Sequence, residues 1–229
     1  MMIKFCRLNF LSILFLSFIF SAKLYAASGT PSSYKPTVTK VELCSSSACS
    51  DPIVLGSSSK EFDIASVTAG TDVGNYLSDF SITLGRTYTH VRSTISSTFK
   101  VKGTVDVSGE TCNTVASPTV AASTATVTAK TATDGTLGEM SWIIPDTNGG
   151  GDYGDLTATF ATNGTSKTDG ASTFTFTIAL SVPYTPKATD VPTVRMSFDV
   201  TNTLTATESG GTCVMYLEPP VQTVTITGR

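Results

Sequence analysis

The chain has 229 residues, a formal net charge of −3 and 14% charged residues, whereas an average domain has about 25%. A weakly charged, acidic chain lacks the basic surface that binds nucleic acids or anionic membranes, so we expect neither as a partner. The length suits one large β-domain or two small ones and is sufficient to bury a core.

The first 26 residues have the order of a secretory signal peptide. Lys4 and Arg7 precede an apolar run, which extends from Leu8 to Phe20 and is followed by a segment that ends at Ala26. The run is shorter than the about 20 apolar residues of a membrane-spanning helix, so a retained anchor is disfavoured. We therefore predict cleavage after Ala26, no membrane insertion afterwards, and a final location outside a bacterial cell or on its surface, with the periplasm as the alternative.

The mature N-terminus is rich in Ser, Gly and Pro. We expect a flexible segment at residues 27–36 and one β-domain at residues 37–229. The domain begins with an alternating strand pattern that suits strand addition to a neighbouring sheet. Its candidate assembly residues are Thr37, Val38, Thr39, Val41 and Leu43. The alternative is that this strand pairs within its own domain.

Alternation of apolar and polar residues with a period of two predicts strands along most of the chain. Residues 87–101 are the clearest case, because Val91, Ile95 and Phe99 share one face. In chain order the predicted strands are 37–43, 62–67, 87–101, 120–131, 137–144, 156–161, 174–180, 194–204, 213–217 and 221–227. With Gly-containing turns between them, these short strands indicate an all-β antiparallel β-sandwich, immunoglobulin-like or jelly-roll-like, with Greek-key connections.

Four cysteines remain after signal cleavage, and an even number in an exported chain predicts disulfides. We favour Cys44 with Cys49, which closes a small loop, and Cys112 with Cys213 as a long-range link. Four cysteines allow three connectivities. A zinc site is disfavoured, because the chain has no Cys-x-x-Cys motif and a single histidine.

One loop, residues 146–155, has the donor types of a calcium site. Asp146, Asn148, Asp152 and Asp155 supply oxygen donors around a run of glycines, which partly matches a calcium-binding loop. Thr157 replaces the bidentate Glu expected at the twelfth position. The alternative is a plain Gly-rich hairpin loop with no metal, and we expect no other cofactor.

Catalytic motifs are missing from the sequence. His90 is the single imidazole, and no nucleophile elbow, zinc-protease or phosphate-loop motif occurs. The scattered carboxylates show no spacing that selects a pair for glycoside hydrolysis. They are Asp63, Asp106, Glu110, Glu139, Asp199 and Glu208.

Three functions remain for an exported chain of this kind. The first is a non-enzymatic structural subunit that self-associates into a filament, a pilus-like fibre or a surface layer, by strand addition from its N-terminal segment. The second is a monomeric adhesin or ligand-binding β-sandwich, with calcium as a candidate aid. The third and least favoured is a secreted hydrolase.

Overall fold

A computed structural model describes residues 25–66, 82–116, 120–121, 126–127, 136–147, 155–190, 192–209 and 211–227. Residues 1–24 of the predicted signal peptide lie outside this part of the chain. The described residues form strands and one short helix. They are β1 (Tyr25–Gly29), β2 (Ser33–Lys35), β3 (Thr37–Cys44), β4 (Ile53–Gly56), β5 (Lys60–Glu61), β6 (Tyr88–Ser96), β7 (Thr98–Lys102), β8 (Thr104–Val107), β9 (Glu110–Asn113), β10 (Val120–Ala121), β11 (Thr126–Val127), β12 (Met140–Ile143), α1 (Thr157–Thr162), β13 (Thr165–Ser166), β14 (Thr173–Tyr184), β15 (Thr193–Asp199), β16 (Leu204–Ser209), β17 (Thr212–Leu217) and β18 (Val221–Thr227).

Across the described residues, these strands assemble into several packed sheets. The largest has the order β15-β18-β14-β6-β3-β4, with β13 beside β14 and β5 beside β3. Two smaller sheets have the orders β1-β16-β17-β11 and β10-β12-β7-β2, and β8 pairs with β9. Most pairs are antiparallel, while β10–β12 and β14–β18 are parallel. The predicted all-β, antiparallel and disulfide-stapled fold is confirmed.

The long predicted strand at 87–101 is divided at Ser97. Its alternation is correct, because Val91, Ile95 and Phe99 are all buried. At Ser97 the backbone N–H donates to Ser172 at 2.8 Å, and the carbonyl accepts from Ile144 at 2.7 Å. The chain therefore leaves the largest sheet as β6 and enters the sheet of β2 and β12 as β7. The apolar face of residues 87–101 is therefore continuous in sequence but belongs to two different sheets.

Three other predicted strands differ from the structure. The one predicted at 194–204 is divided by a turn, because β15 ends at Asp199 and β16 begins at Leu204. Residues 156–161 form most of helix α1, in which the Phe160 N–H donates to the Leu156 carbonyl at 2.9 Å. An apolar pair four residues apart fits a helical turn as well as a strand, and a short run does not separate the two. Residues 62–66 form no strand, and residues 64–66 are bends. Much of the strand predicted at 120–131 lies outside the described residues.

Strands of all the sheets contribute side chains to one core, and two disulfides cross-link the fold. Cys44 pairs with Cys49, and Cys112 pairs with Cys213, which are the pairs that the spacing favours. The second disulfide joins β9 to β17 and is fully buried. Because these strands are far apart in sequence, this link holds together two parts of the fold that share no turn.

A buried carboxylate links two neighbouring strands of the largest sheet, β3 and β6. Glu42 on β3 accepts a hydrogen bond from Arg92 Nε of β6 at 2.8 Å and contacts Lys40 Nζ at 3.0 Å, while its side chain is only 3% exposed. Burial raises the pKa of Glu42, but the hydrogen bonds from Arg92 and Lys40 outweigh burial and hold that pKa below its ordinary value of 4.5.

This arrangement predicts a pH-dependent contribution to stability. Because the pKa of Glu42 is lower in the folded than in the unfolded chain, its ionised carboxylate stabilises the folded state fully above pH 4.5. This stabilisation is lost as the pH falls through the pKa of Glu42 in the folded state. We expect Glu42→Gln to lower the free energy of unfolding at pH 7 by about 2 kcal/mol, and the difference from the wild type to shrink at pH 3. Urea unfolding at both pH values measures this. Glu61→Gln is the control, because its pair with Lys100 is exposed and contributes about 1 kcal/mol or less.

Candidate functional site

The N-terminal segment, residues 27–35, is an integral part of two sheets rather than a flexible leader. Ala27–Gly29 lies in β1, which pairs along its whole length with β16, and Ser33–Lys35 forms β2. The structure thus places most of the segment predicted to be flexible, residues 27–36, in paired strands. A Ser- and Gly-rich composition predicts flexibility only where no partner strand is available, and β16 and β7 provide such partners.

The second half of this segment lies in a groove between two parts of the chain. On one side, Tyr34 pairs with Val101 of β7. On the other side, the Ile64 N–H donates to the Tyr34 carbonyl at 2.9 Å. The Asp63 carboxylate accepts from the Tyr34 N–H at 3.1 Å and from the Ser33 hydroxyl at 2.8 Å. The backbone of β2 is therefore hydrogen-bonded on both sides by residues distant in sequence.

Tyr34 anchors the segment in the core. Its side chain is 2% exposed, and its ring meets Phe99 edge-on with the ring centroids 5.8 Å apart. The hydroxyl donates to the Glu218 carbonyl at 3.4 Å, and burial together with the Glu218 charge raises the pKa of Tyr34. The buried ring thus gives the segment a large apolar contact with the core.

Two glycines allow the segment to approach the domain closely. A Cβ added to Gly29 would lie 2.9 Å from the Thr104 carbonyl oxygen, and one added to Gly103 would lie 2.9 Å from the Pro31 Cα. Both distances are shorter than real Cβ contacts, so neither position has room for a side chain. At the far end, Lys35 forms an ion pair with Glu139 at 2.5 Å, and this hydrogen bond raises the pKa of Lys35.

The predicted assembly residues Thr37, Val38, Thr39, Val41 and Leu43 all lie on β3. This strand is an inner strand of the largest sheet, because β6 pairs with one side of it and β4 and β5 with the other. Of the two readings of the sequence, the structure thus shows pairing within the domain. The alternation that suggested a donor strand instead reflects a strand with buried Val38, Val41 and Leu43.

The predicted calcium loop is only partly described. Asn148 and Asp152 lie outside the described residues. The Asp146 carboxylate forms an ion pair with Lys167 and accepts from the Gly170 N–H at 3.1 Å, and both contacts lower its pKa. Asp155 accepts from the Thr157 N–H at 2.9 Å. Both described carboxylates have protein partners, and calcium binding stays a prediction.

The candidate catalytic residues lie on separate elements. His90 is on β6, with Nδ1 2.7 Å from the Thr89 hydroxyl. Five of the six predicted carboxylates have protein partners. Asp106, Asp199 and Glu208 accept hydrogen bonds from nearby residues, namely Thr111, the Thr201 N–H and the Gly211 N–H. Asp63 and Glu139 contact β2, which is distant in sequence, and Glu110 begins β9. The described part of the chain contains no cluster of three or more metal-ligating side chains.

Sequence reasoning missed the N-terminal segment as an ordered element. Its one useful signal was Tyr34, an aromatic residue inside a polar stretch. None of the described residues forms an apolar helix of membrane-spanning length, and buried disulfides are typical of proteins that fold in an oxidising compartment. Comparison with protein-family models, with curated proteins and with solved structures found no match to this chain.

Proposed function

We propose that this chain is an exported, non-enzymatic structural subunit that self-associates by exchanging its N-terminal segment, residues 27–35, with a neighbouring copy. The product is a filament, a pilus-like fibre or a surface layer outside a bacterial cell. The observation that carries this proposal is that the segment's partners are β16, β7 and residues 62–64, which are all distant in sequence. A second copy of the chain offers the same partners.

The energetic argument is that of strand exchange. A segment that moves to a neighbour re-forms every contact that it loses, so exchange costs little beyond the change at the hinge. Pro36 is the single residue between β2 and β3, and a short, stiff hinge favours exchange over a closed monomer. Head-to-tail exchange produces open chains of subunits when the rotation between neighbouring copies does not close into a ring, and a filament requires that open geometry.

Signal cleavage contributes to the same mechanism. In β1, Tyr25 and Ala26 pair with Glu208 and Thr207 of β16. Cleavage after Ala26 would remove these two residues and leave part of the outer edge of β16 unpaired. An unpaired strand edge favours the addition of a strand from another chain. After cleavage the segment would also have a free end, so it could leave its groove without any other part of the chain passing through the fold.

A cysteine pair distinguishes exchange from a closed monomer. Ser28 and Thr205 are partners in the β1–β16 ladder, with their hydroxyl oxygens 3.5 Å apart, so Ser28→Cys with Thr205→Cys allows a disulfide. In the exchanged assembly we expect this disulfide to join different chains and to give a ladder of covalent multimers on a non-reducing gel. Monomers alone would contradict the proposal, and Ser28→Cys by itself is the control.

A peptide provides a second test of the same interface. A synthetic peptide of residues 27–35 is expected to occupy the groove and to shorten assemblies of the exported, disulfide-bonded protein, as measured by electron microscopy and light scattering. The matched control peptide carries Tyr34→Ala, which removes the buried ring and is expected to have no effect. Equal effects of the two peptides, or dispersed single particles without any peptide, would argue against exchange.

A monomeric ligand-binding module is the second candidate function. The observation that favours it is an apolar cavity between the sheets, lined by aromatic side chains. Protein that stays monomeric in both tests above would favour this candidate.

A further inference from the structure

Strand β15, residues Thr193–Asp199, forms one outer edge of the largest sheet. It pairs with β18 in an unbroken antiparallel register along its whole length. On its other side, no strand among the described residues lies next to it. An edge of seven regular residues with no proline among them can accept a further strand, because its backbone donors and acceptors are correctly spaced for pairing. This edge is therefore a candidate interaction surface.

The two faces of β15 differ in chemistry. Successive side chains of a strand point to opposite faces of the sheet. Met196 and Phe198 lie on one face, where both line the apolar cavity between the sheets. Arg195, Ser197 and Asp199 lie on the other face, on which the two charged residues are exposed. This face thus carries opposite charges placed symmetrically about Ser197.

Such an arrangement is self-complementary. A twofold axis through Ser197 that relates two antiparallel copies of β15 places Arg195 of each copy opposite Asp199 of the other. On the apolar face, Met196 of each copy meets Phe198 of the other, which is a favourable contact between sulfur and an aromatic ring. Opposite charges directly across an antiparallel pair are stabilising, and like charges there are destabilising. An axis through Arg195 or Asp199 would oppose like charges, so the charges favour the axis at Ser197.

Asp199 is ionised and held at the end of the strand. Its Oδ1 accepts from the Thr201 N–H at 2.9 Å. Hydrogen bonds from the hydroxyl and the backbone of Thr201 lower the pKa of Asp199. The carboxylate is therefore negative at neutral pH. Since a carboxylate has about four acceptor positions, the contact with Thr201 leaves room for a guanidinium group.

We propose that β15 is a homodimer interface, in which two copies of the chain pair their β15 strands about a twofold axis at Ser197 and form two Arg195–Asp199 ion pairs. The largest sheet then continues from one copy into the other. This contact goes beyond the proposed exchange, because it involves neither residues 27–35 nor the strands that hold them. A twofold contact stops at two copies. Together with exchange, it joins neighbouring filaments side by side.

One added cysteine per chain tests the position of the axis. In the paired strands, Ser197→Cys places two cysteines opposite each other with their Cα atoms about 4.5 to 5.5 Å apart, which allows a disulfide. We expect mild oxidation of the exported, disulfide-bonded protein to give a covalent dimer on a non-reducing denaturing gel. One added cysteine cannot extend a covalent product beyond a dimer, so this result does not depend on exchange.

The matched control is Thr193→Cys, on the same face of the same strand. In the proposed register, the two copies of residue 193 lie about 26 Å apart, eight residues along the strands, so we expect monomers. Monomers from Ser197→Cys, or equal yields of dimer from the two variants, would overturn the proposal.

Charge reversal in the Ser197→Cys protein tests the ion pairs. Arg195→Asp and Asp199→Arg each oppose like charges twice, and we expect either change to slow dimer formation about tenfold at low protein concentration. The variant with both changes restores opposite charges and is expected to recover the rate. Circular dichroism and melting curves check that each variant is folded. Unchanged rates in the single variants, or no recovery in the double variant, would refute the proposed register.

Discussion

Replacement of both Cys112 and Cys213 by alanine is expected to lower the free energy of unfolding by about 4 to 5 kcal/mol, because the disulfide closes a loop of about 100 residues in the unfolded chain. The two cysteines are 101 positions apart and join β9 to β17. Both are fully buried. Without this link, the unfolded chain gains conformational entropy, and the two sheets that it joins separate more readily.

The second disulfide is the matched control. Cys44 and Cys49 are only 5 positions apart, and the same relation gives about 2 kcal/mol for a loop of that size. Urea unfolding of the two double variants measures both values with the same method. If the two variants lose equal stability, the long link does not act by restricting the unfolded chain, and this explanation is wrong.

Tyr34→Ala is expected to lower the free energy of unfolding by about 3 to 5 kcal/mol, the range for deleting a buried aromatic side chain. The ring is 2% exposed and packs on Phe99. The proposed exchange adds a second effect. The same ring would hold the segment in a neighbouring copy, so Tyr34→Ala is also expected to prevent assembly. Sedimentation velocity measures this under conditions in which the variant is folded.

Tyr34→Phe separates the ring from the hydroxyl. It keeps the packing and removes only the hydrogen bond to the Glu218 carbonyl, which is 3.4 Å long, so we expect a loss of about 1 kcal/mol or less and normal assembly. A folded Tyr34→Ala variant that assembles as well as the wild type would show that this ring does not seat the exchanged segment.

The amino-acid pattern predicts local structure well where one face of a strand is buried. The alternation at 87–101 identifies the buried Val91, Ile95 and Phe99 correctly. Two of the glycines between strands, Gly164 and Gly170, have positive φ, as the predicted Gly-containing turns require. Cysteine number and spacing favour the pairs that the structure forms. Each of these features depends on neighbours within a few residues or on a simple count.

The sequence by itself thus determined the all-β class and the faces of the clearest strands, because the alternation of side chains is a local property. The number and spacing of the cysteines favoured the two disulfides among three possible connectivities. Only the tertiary structure decided which strands pair. It divides residues 87–101 between two sheets at Ser97, makes β3 an inner strand, and places the Ser-rich segment 27–35 against β16 and β7. The aromatic cavity likewise combines side chains from distant elements. Backbone hydrogen bonding is nearly the same for every residue, so the choice of partner strand depends on packing between residues far apart in the chain.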